Sequence, residues 1–201
     1  MNVQPVLPIS ISENWNLIGR VILPVISQND VFSLDNQFGL GDAVISGFFS
    51  PKEPTAGGLI WGAGPVLLVP TATDELLGAE KFGIGPTAVA LQQAGSMTFG
   101  ALVNHIWSFA GDDNRGDINT TFVQPFIAKN FAGGWAVAFN TELSQDWDNG
   151  NTNGNINLVG SKVVTLGDQM AQVFLGPRFP YGNANTADFG VRFGLTLLFP
   201  K

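Results

Sequence analysis

The chain has one histidine, His105, in the run NHIWSF, with Ser108 three residues further on. A histidine beside a serine hydroxyl could supply the base and nucleophile of a lipid hydrolase if both reached the same side of the backbone. In an extended strand they do not. His105 would share a face with Val103, Trp107 and Phe109, while Ser108 points the opposite way. His105 is therefore expected as an interfacial group beside Trp107, and no catalytic residue is assigned. The stretch DWDNGNTNG (146–154) offers Asp146 and Asp148 among turn residues, as a calcium loop would. It lacks the full EF-hand spacing and the closing glutamate, so it reads as a solvated external loop. No metal site and no cofactor are expected.

A different chemistry is open to Arg20, Asp42, Asn104, Gln124, Glu142, Arg178 and Arg192. Each stands opposite the apolar face of its own candidate strand. On a barrel these side chains would turn inward, because a charge on the lipid side is costly. There they could line a polar constriction, or pair with one another and plug a narrow lumen. Ile18, Leu40, Phe122, Phe126 and Phe174 are interleaved with them. Such a lumen suits small, partly apolar solutes better than sugars or inorganic ions.

The elements that must carry these residues are strands. The end of the chain alternates Phe189, Val191, Phe193, Leu195, Leu197 and Phe199 with Asp188, Gly190, Arg192, Gly194 and Thr196, with Leu198 the exception. A period of two places the two sets on opposite faces of an extended chain. Eleven candidate strands follow the same rhythm: 2–11, 15–26, 38–49, 58–69, 82–92, 97–109, 118–129, 135–143, 156–165, 169–179 and 187–199. Most are near the length a tilted strand needs to cross a bilayer. Faces are not assignable from alternation in 58–69 and 156–165. The charge-free runs 54–73 and 82–111 are broken by proline and glycine, which argues against membrane helices.

Composition points the same way. Of 201 residues only 12% are charged while 45% are hydrophobic, and 25 are glycine. Soluble domains usually carry about 25% charged residues. The net charge of -7 disfavours nucleic acid as a partner, and the absence of cysteine excludes disulfides and thiolate ligands. Connections alternate between tight (12–14, 50–57, 93–96, 130–134, 166–168) and longer, mostly acidic (27–37, 71–81, 111–117, 144–155, 181–186). Outer-membrane barrels sort their loops in this way, with short periplasmic turns and longer external loops. Trp15, Trp61, Trp107, Trp135, Trp147 and Tyr181 fall mostly near strand ends, where aromatic belts meet headgroups. The fold expected is one all-β antiparallel outer-membrane barrel over 1–201.

Eleven is an odd number, and bacterial single-chain barrels have an even one. The expectation is therefore a twelve-stranded barrel lacking its first strand and leader, since Met1 runs straight into NVQPVLPISIS. The first and last visible strands should then both be edges, running in the same direction.

Two resemblances sharpen the reading. Arg192-x-Gly194-x-x-Leu197-x-Phe199 resembles the terminal signal by which outer-membrane barrels are recognised and inserted, although Pro200 and Lys201 follow it. The stretches NVQPVLPISISENWNLIGRVILPVI, GLGD, GPVLLVPTAT, NHIWSFAGD, TFVQPFIAKNF and LGPRFPYGN spread over nearly the whole chain. They are similar to the bacterial outer-membrane family named for the MetA pathway of phenol degradation, often called simply transporters. That resemblance implies a passive, non-enzymatic channel or transporter in the outer membrane of Gram-negative bacteria. Its partners would be the bilayer with its lipopolysaccharide, the barrel assembly machinery and a small-molecule solute. A barrel lipid hydrolase and a non-transporting structural barrel are the alternatives.

Overall fold

The computed structural model describes residues 1–29, 36–184 and 187–199. Parts of the loops expected at 27–37 and 181–186, and Pro200 and Lys201, lie outside them. The elements in chain order are β1 (Asn2–Val3), β2 (Val6–Ser10), β3 (Trp15–Asn29), β4 (Asn36–Leu40), β5 (Ala43–Pro51), β6 (Leu59–Val69) and β7 (Lys81–Ala94). They continue with β8 (Met97–Gly111), β9 (Asn119–Asn130), β10 (Trp135–Asp146), β11 (Thr152–Leu166), β12 (Gln169–Tyr181) and β13 (Gly190–Leu198). Among the described residues the helical content is one 3-10 turn, Ala132–Gly134, and no helix is long and apolar enough to cross a membrane.

All thirteen strands form one sheet, in the order β1-β3-β5-β6-β7-β8-β9-β10-β11-β12-β13, with β2 and β4 also pairing β3. β1 and β2 are two pieces of one strand, parted at Pro5, which has no N–H to give a ladder. β4 and β5 are likewise one strand position, parted at Gly41 and Asp42. Eleven strand positions therefore run side by side, every pairing antiparallel, as the alternation pattern predicts.

The register carries the two-sided pattern round the whole wall. One cross-strand row reads Ile9, Leu17, Phe49, Ala63, Ala88, Val103, Val123, Leu143, Gly154 and Tyr181. A neighbouring row of opposite parity reads Leu91, Gly100, Phe126, Asn140, Asn157, Arg178 and Gly190. The first parity is outward. It bears Ile45, Leu67, Ile84, Trp107, Val137, Phe139, Leu158, Leu175 and Phe193, all large, apolar and exposed. The second is inward, with Phe48, Val66, Leu102 and Val159 buried beside Ser46, Ser50, Thr87 and Asn157. The registers also assign β6 and β11, whose faces alternation leaves open: Val66 and Asn157 turn inward, Leu67 and Ile156 outward.

Two-residue turns close the tight end where the chain supplies glycine. Gly95 at φ 58 and Gly167 at φ 63 each take the first turn position between long strands. That left-handed geometry matches the twist of a hairpin and excludes most side chains. Aromatics gather at both rims. Trp15 meets Trp61 edge-on at 6.0 Å and Lys162 lies 4.7 Å over Trp135 at the tight-turn end. At the long-loop end Phe179 meets Phe189 at 5.7 Å, and the Tyr181 hydroxyl lies 2.7 Å from Thr141 Oγ1. Gly154 leaves the space that the Tyr181 ring fills, since a Cβ there would collide with it.

Among the described residues the first strand position pairs only with β3 and β13 only with β12, so both are edges of the sheet. Ten antiparallel steps separate them, so they run in the same direction.

Phe139 lies in mid-strand between outward-facing Ile127 and Leu158. Phe139→Arg should destabilise the barrel in lipid vesicles by about 2–4 kcal/mol, read from urea unfolding. A change near zero would mean that this face does not meet hydrocarbon.

Candidate functional site

Glu142 is the centre of the inner face. Its position on β10 has inward parity, and its side chain is only 17% exposed. Arg178 Nη2 on β12 donates to Glu142 Oε2 at 2.9 Å, and Arg192 Nη1 on β13 donates to Oε1. Gln124 Nε2 on β9 adds a third donor to Oε1 at 3.3 Å. Carboxylate oxygens accept several charge-assisted bonds, so one glutamate can fix side chains from three other strands. The strands were positioned by their outer faces; the cluster is what that register places together inside.

Arg20 on β3 has the same inward parity, opposite Ser46 on β5. Arg20 Nη2 donates to Gln4 Oε1 at 3.4 Å, a long contact. Beside the charges, Asn157 Nδ2 donates to Asn140 Oδ1 at 2.9 Å, and Asn157 is fully buried. Phe126 and Arg178 stand in the same inward row as these asparagines. The Phe174 ring lies over Gly194, where a Cβ would strike it.

Of the residues singled out by spacing, Gln124, Glu142, Arg178 and Arg192 are thus brought together, and Arg20 shares their inner side. Asn104 shares that parity, opposite Thr87 and Phe122, but is not part of the cluster. Asp42 departs from its expected place in a continuous strand 38–49. It lies in the break between β4 and β5, and its carboxylate accepts the Ala72 and Ala79 N–H groups at 3.1 and 2.6 Å. The reason is local. Gly41 and Asp42 end one ladder, and a short acidic side chain can close the loop beside it by taking free backbone donors. Arg115 secures the same loop, donating to the carbonyls of Glu75 and Gly78 and pairing with Glu80 at 3.2 Å.

The terminal signal residues divide by face: Arg192 and Gly194 inward, Leu197 and Phe199 outward. His105 and Ser108 are engaged separately. His105 Nδ1 is 2.7 Å from Thr121 Oγ1, and its ring lies 4.0 Å from Trp107. Ser108 Oγ donates to Asp117 at 3.1 Å and accepts from Ile118 N–H at 3.0 Å. In the 146–154 loop the Asp146 carboxylate accepts the N–H groups of Asp148 and Asn149, which makes it a turn-closing group. Those bonds, the Asn149 side chain first, hold its pKa below the usual carboxylate value. Among the described residues no three His, Asp or Glu side chains are placed to hold a metal ion.

Gln4, Asn140 and Asn157 carry no motif and were not foreseen. Parity alone could have placed Asn140 and Asn157 inside; their contact depends on the register.

No family model matches the chain, and no curated protein matches it. Among solved structures, an outer membrane channel from Pseudomonas putida F1 is similar in fold, with a TM-score of 0.71 at 15% identity. The likeness covers 98% of this chain and 82% of that one. At this identity it speaks for the all-β antiparallel barrel architecture.

Two outcomes are expected of the charges. Glu142→Gln removes the negative partner of two arginines, and should lower stability by about 1–3 kcal/mol in urea unfolding. Partial hydration of the arginines favours the lower half of that range. At the long-loop rim, Asp117 accepts from Lys81 at 3.2 Å, and this bond first, then Ser108, lowers its pKa. A depressed carboxylate pKa stabilises above the unfolded value and is lost as pH falls through the folded one. Protection factors for hydrogen exchange at 108–118, corrected for the intrinsic pH dependence of the amides, should therefore fall below about pH 4 and stay flat from pH 5 to 8.

Proposed function

We propose that the chain is a passive outer-membrane channel or transporter for small, partly apolar solutes, aromatic ones included. The observation that carries this is the contrast between its two faces. The outer parity is apolar round the wall, while the inner parity joins Arg20, Gln124, Glu142, Arg178 and Arg192 with Phe122, Phe126 and Phe174. A structural sheet would not need ionised groups inside, where each must be solvated or paired. The similar structure from Pseudomonas putida F1 is described as an outer membrane channel, which supports the same reading. On this reading the chain sits in the outer membrane of a Gram-negative bacterium, contacts lipopolysaccharide at its acidic loops, and is inserted by the barrel assembly machinery. Membership of the MetA-pathway family belongs to the same proposal.

The rival with an observation of its own is a non-transporting barrel, since the Glu142 cluster could close the lumen as well as line it. A lipid hydrolase has less support, because His105 and Ser108 bond to different partners. Purified protein in planar bilayers decides between pore and plug. Stepwise conductance in potassium chloride is the expected result, and a sealed membrane containing folded, heat-modifiable protein would favour the plug.

A further inference from the structure

The inner cluster is unbalanced. Two guanidiniums, Arg178 and Arg192, pair with one carboxylate, Glu142, and a third, Arg20, turns to the same inner side. Arginine does not lose its proton in proteins, so the imbalance persists at any working pH. Among the described residues the other cations are accounted for elsewhere. Lys81 pairs with Asp117 at the rim, Arg115 with Glu80 in a loop, Lys129 and Lys162 lie over the aromatic rings of Phe131 and Trp135, and Lys52 is exposed in the turn after β5. The inner face thus keeps two positive charges in excess within a chain of net charge -7.

Glu142 orders Arg178 and Arg192 without consuming their donors. Each guanidinium has five N–H groups, and the ion pair to Glu142 joins a single nitrogen of each. Arg20 is freer still, with the long contact to Gln4 as its direct hydrogen bond. Phe126 lies in the same cross-strand row as Arg178, and Phe174 packs over Gly194, two residues from Arg192. Planar donors beside flat apolar surface match a planar anion with an aromatic body.

We propose that this cluster selects solutes carrying a carboxylate on a small aromatic or apolar body. The proposal rests on the channel reading and names its substrate class. The acidic loops at the wide rim, with Asp74, Glu75, Asp112, Asp113 and Asp148, would repel such solutes at low salt. That repulsion is screened beyond about 8 Å at physiological ionic strength. At the cluster, surrounding apolar walls would focus the field of the arginines, so discrimination is set there and not at the mouth.

Two measurements on the folded protein test this. In planar bilayers under a potassium chloride gradient, the reversal potential should show chloride favoured by about tenfold, the low end of what a focusing charged cleft gives. Glu142→Gln should raise the preference, and Arg20→Gln should lower it. In detergent, fluorine NMR should show 4-fluorobenzoate broadened by the barrel and 4-fluorobenzyl alcohol left sharp. Cation preference, or equal behaviour of acid and alcohol with conductance intact, would overturn the carboxylate class and leave the channel standing. Absent conductance with 4-fluorobenzoate still broadened would sink the channel and retain the anion site. Because the unmodified protein supplies both primary readouts, a variant that fails to fold cannot protect the idea.

Discussion

The constraint on which everything else depends is that a strand's N–H and C=O groups need partners, so the wall can be built only as one continuous ladder of paired strands. That requirement explains the single sheet running through all thirteen strands and its strictly antiparallel pairing. The two interruptions, at Pro5 and at Gly41–Asp42, fall toward one edge of the sheet, where a lost ladder bond is least costly. Once the sheet is laid out, the period of two leaves no choice: one parity faces outward and the other inward.

The inner chemistry follows from that outer constraint. An unbroken apolar row from Ile9 to Leu143 locks the register. A slip of one residue would turn Arg178, Arg192 and Glu142 outward together, so hydrophobic burial fixes the ion cluster more firmly than its own bonds do. The ion pairs are partly hydrated and individually weak. They specify geometry inside a frame that is already set.

This division explains what could be read from sequence. Strand number, approximate limits and the inward side of Arg20, Gln124, Glu142, Arg178 and Arg192 were legible, because each depends on local alternation. So was the sorting of loops to two ends. The convergence of two arginines on Glu142 was not, because it depends on pairings between strands up to fifty residues apart, as Arg192 is from Glu142. Asp42 shows the opposite failure. Alternation counts through Gly41 and Asp42 without seeing that their backbone leaves the ladder, so a loop-closing carboxylate looks like a strand residue.

The charge asymmetry along the axis is the last consequence. Acidic groups crowd the long loops, where exposed turns favour Asp and Asn because their side chains bond neighbouring backbone, as Asp146 and Asp112 do. The excess of arginine lies inside, where turn chemistry plays no part and strands supply the scaffold. The net charge of -7 is therefore a property of the rims and says little about the interior. The rims are thus negative and screened, while the excess of positive charge is held inside by the strands.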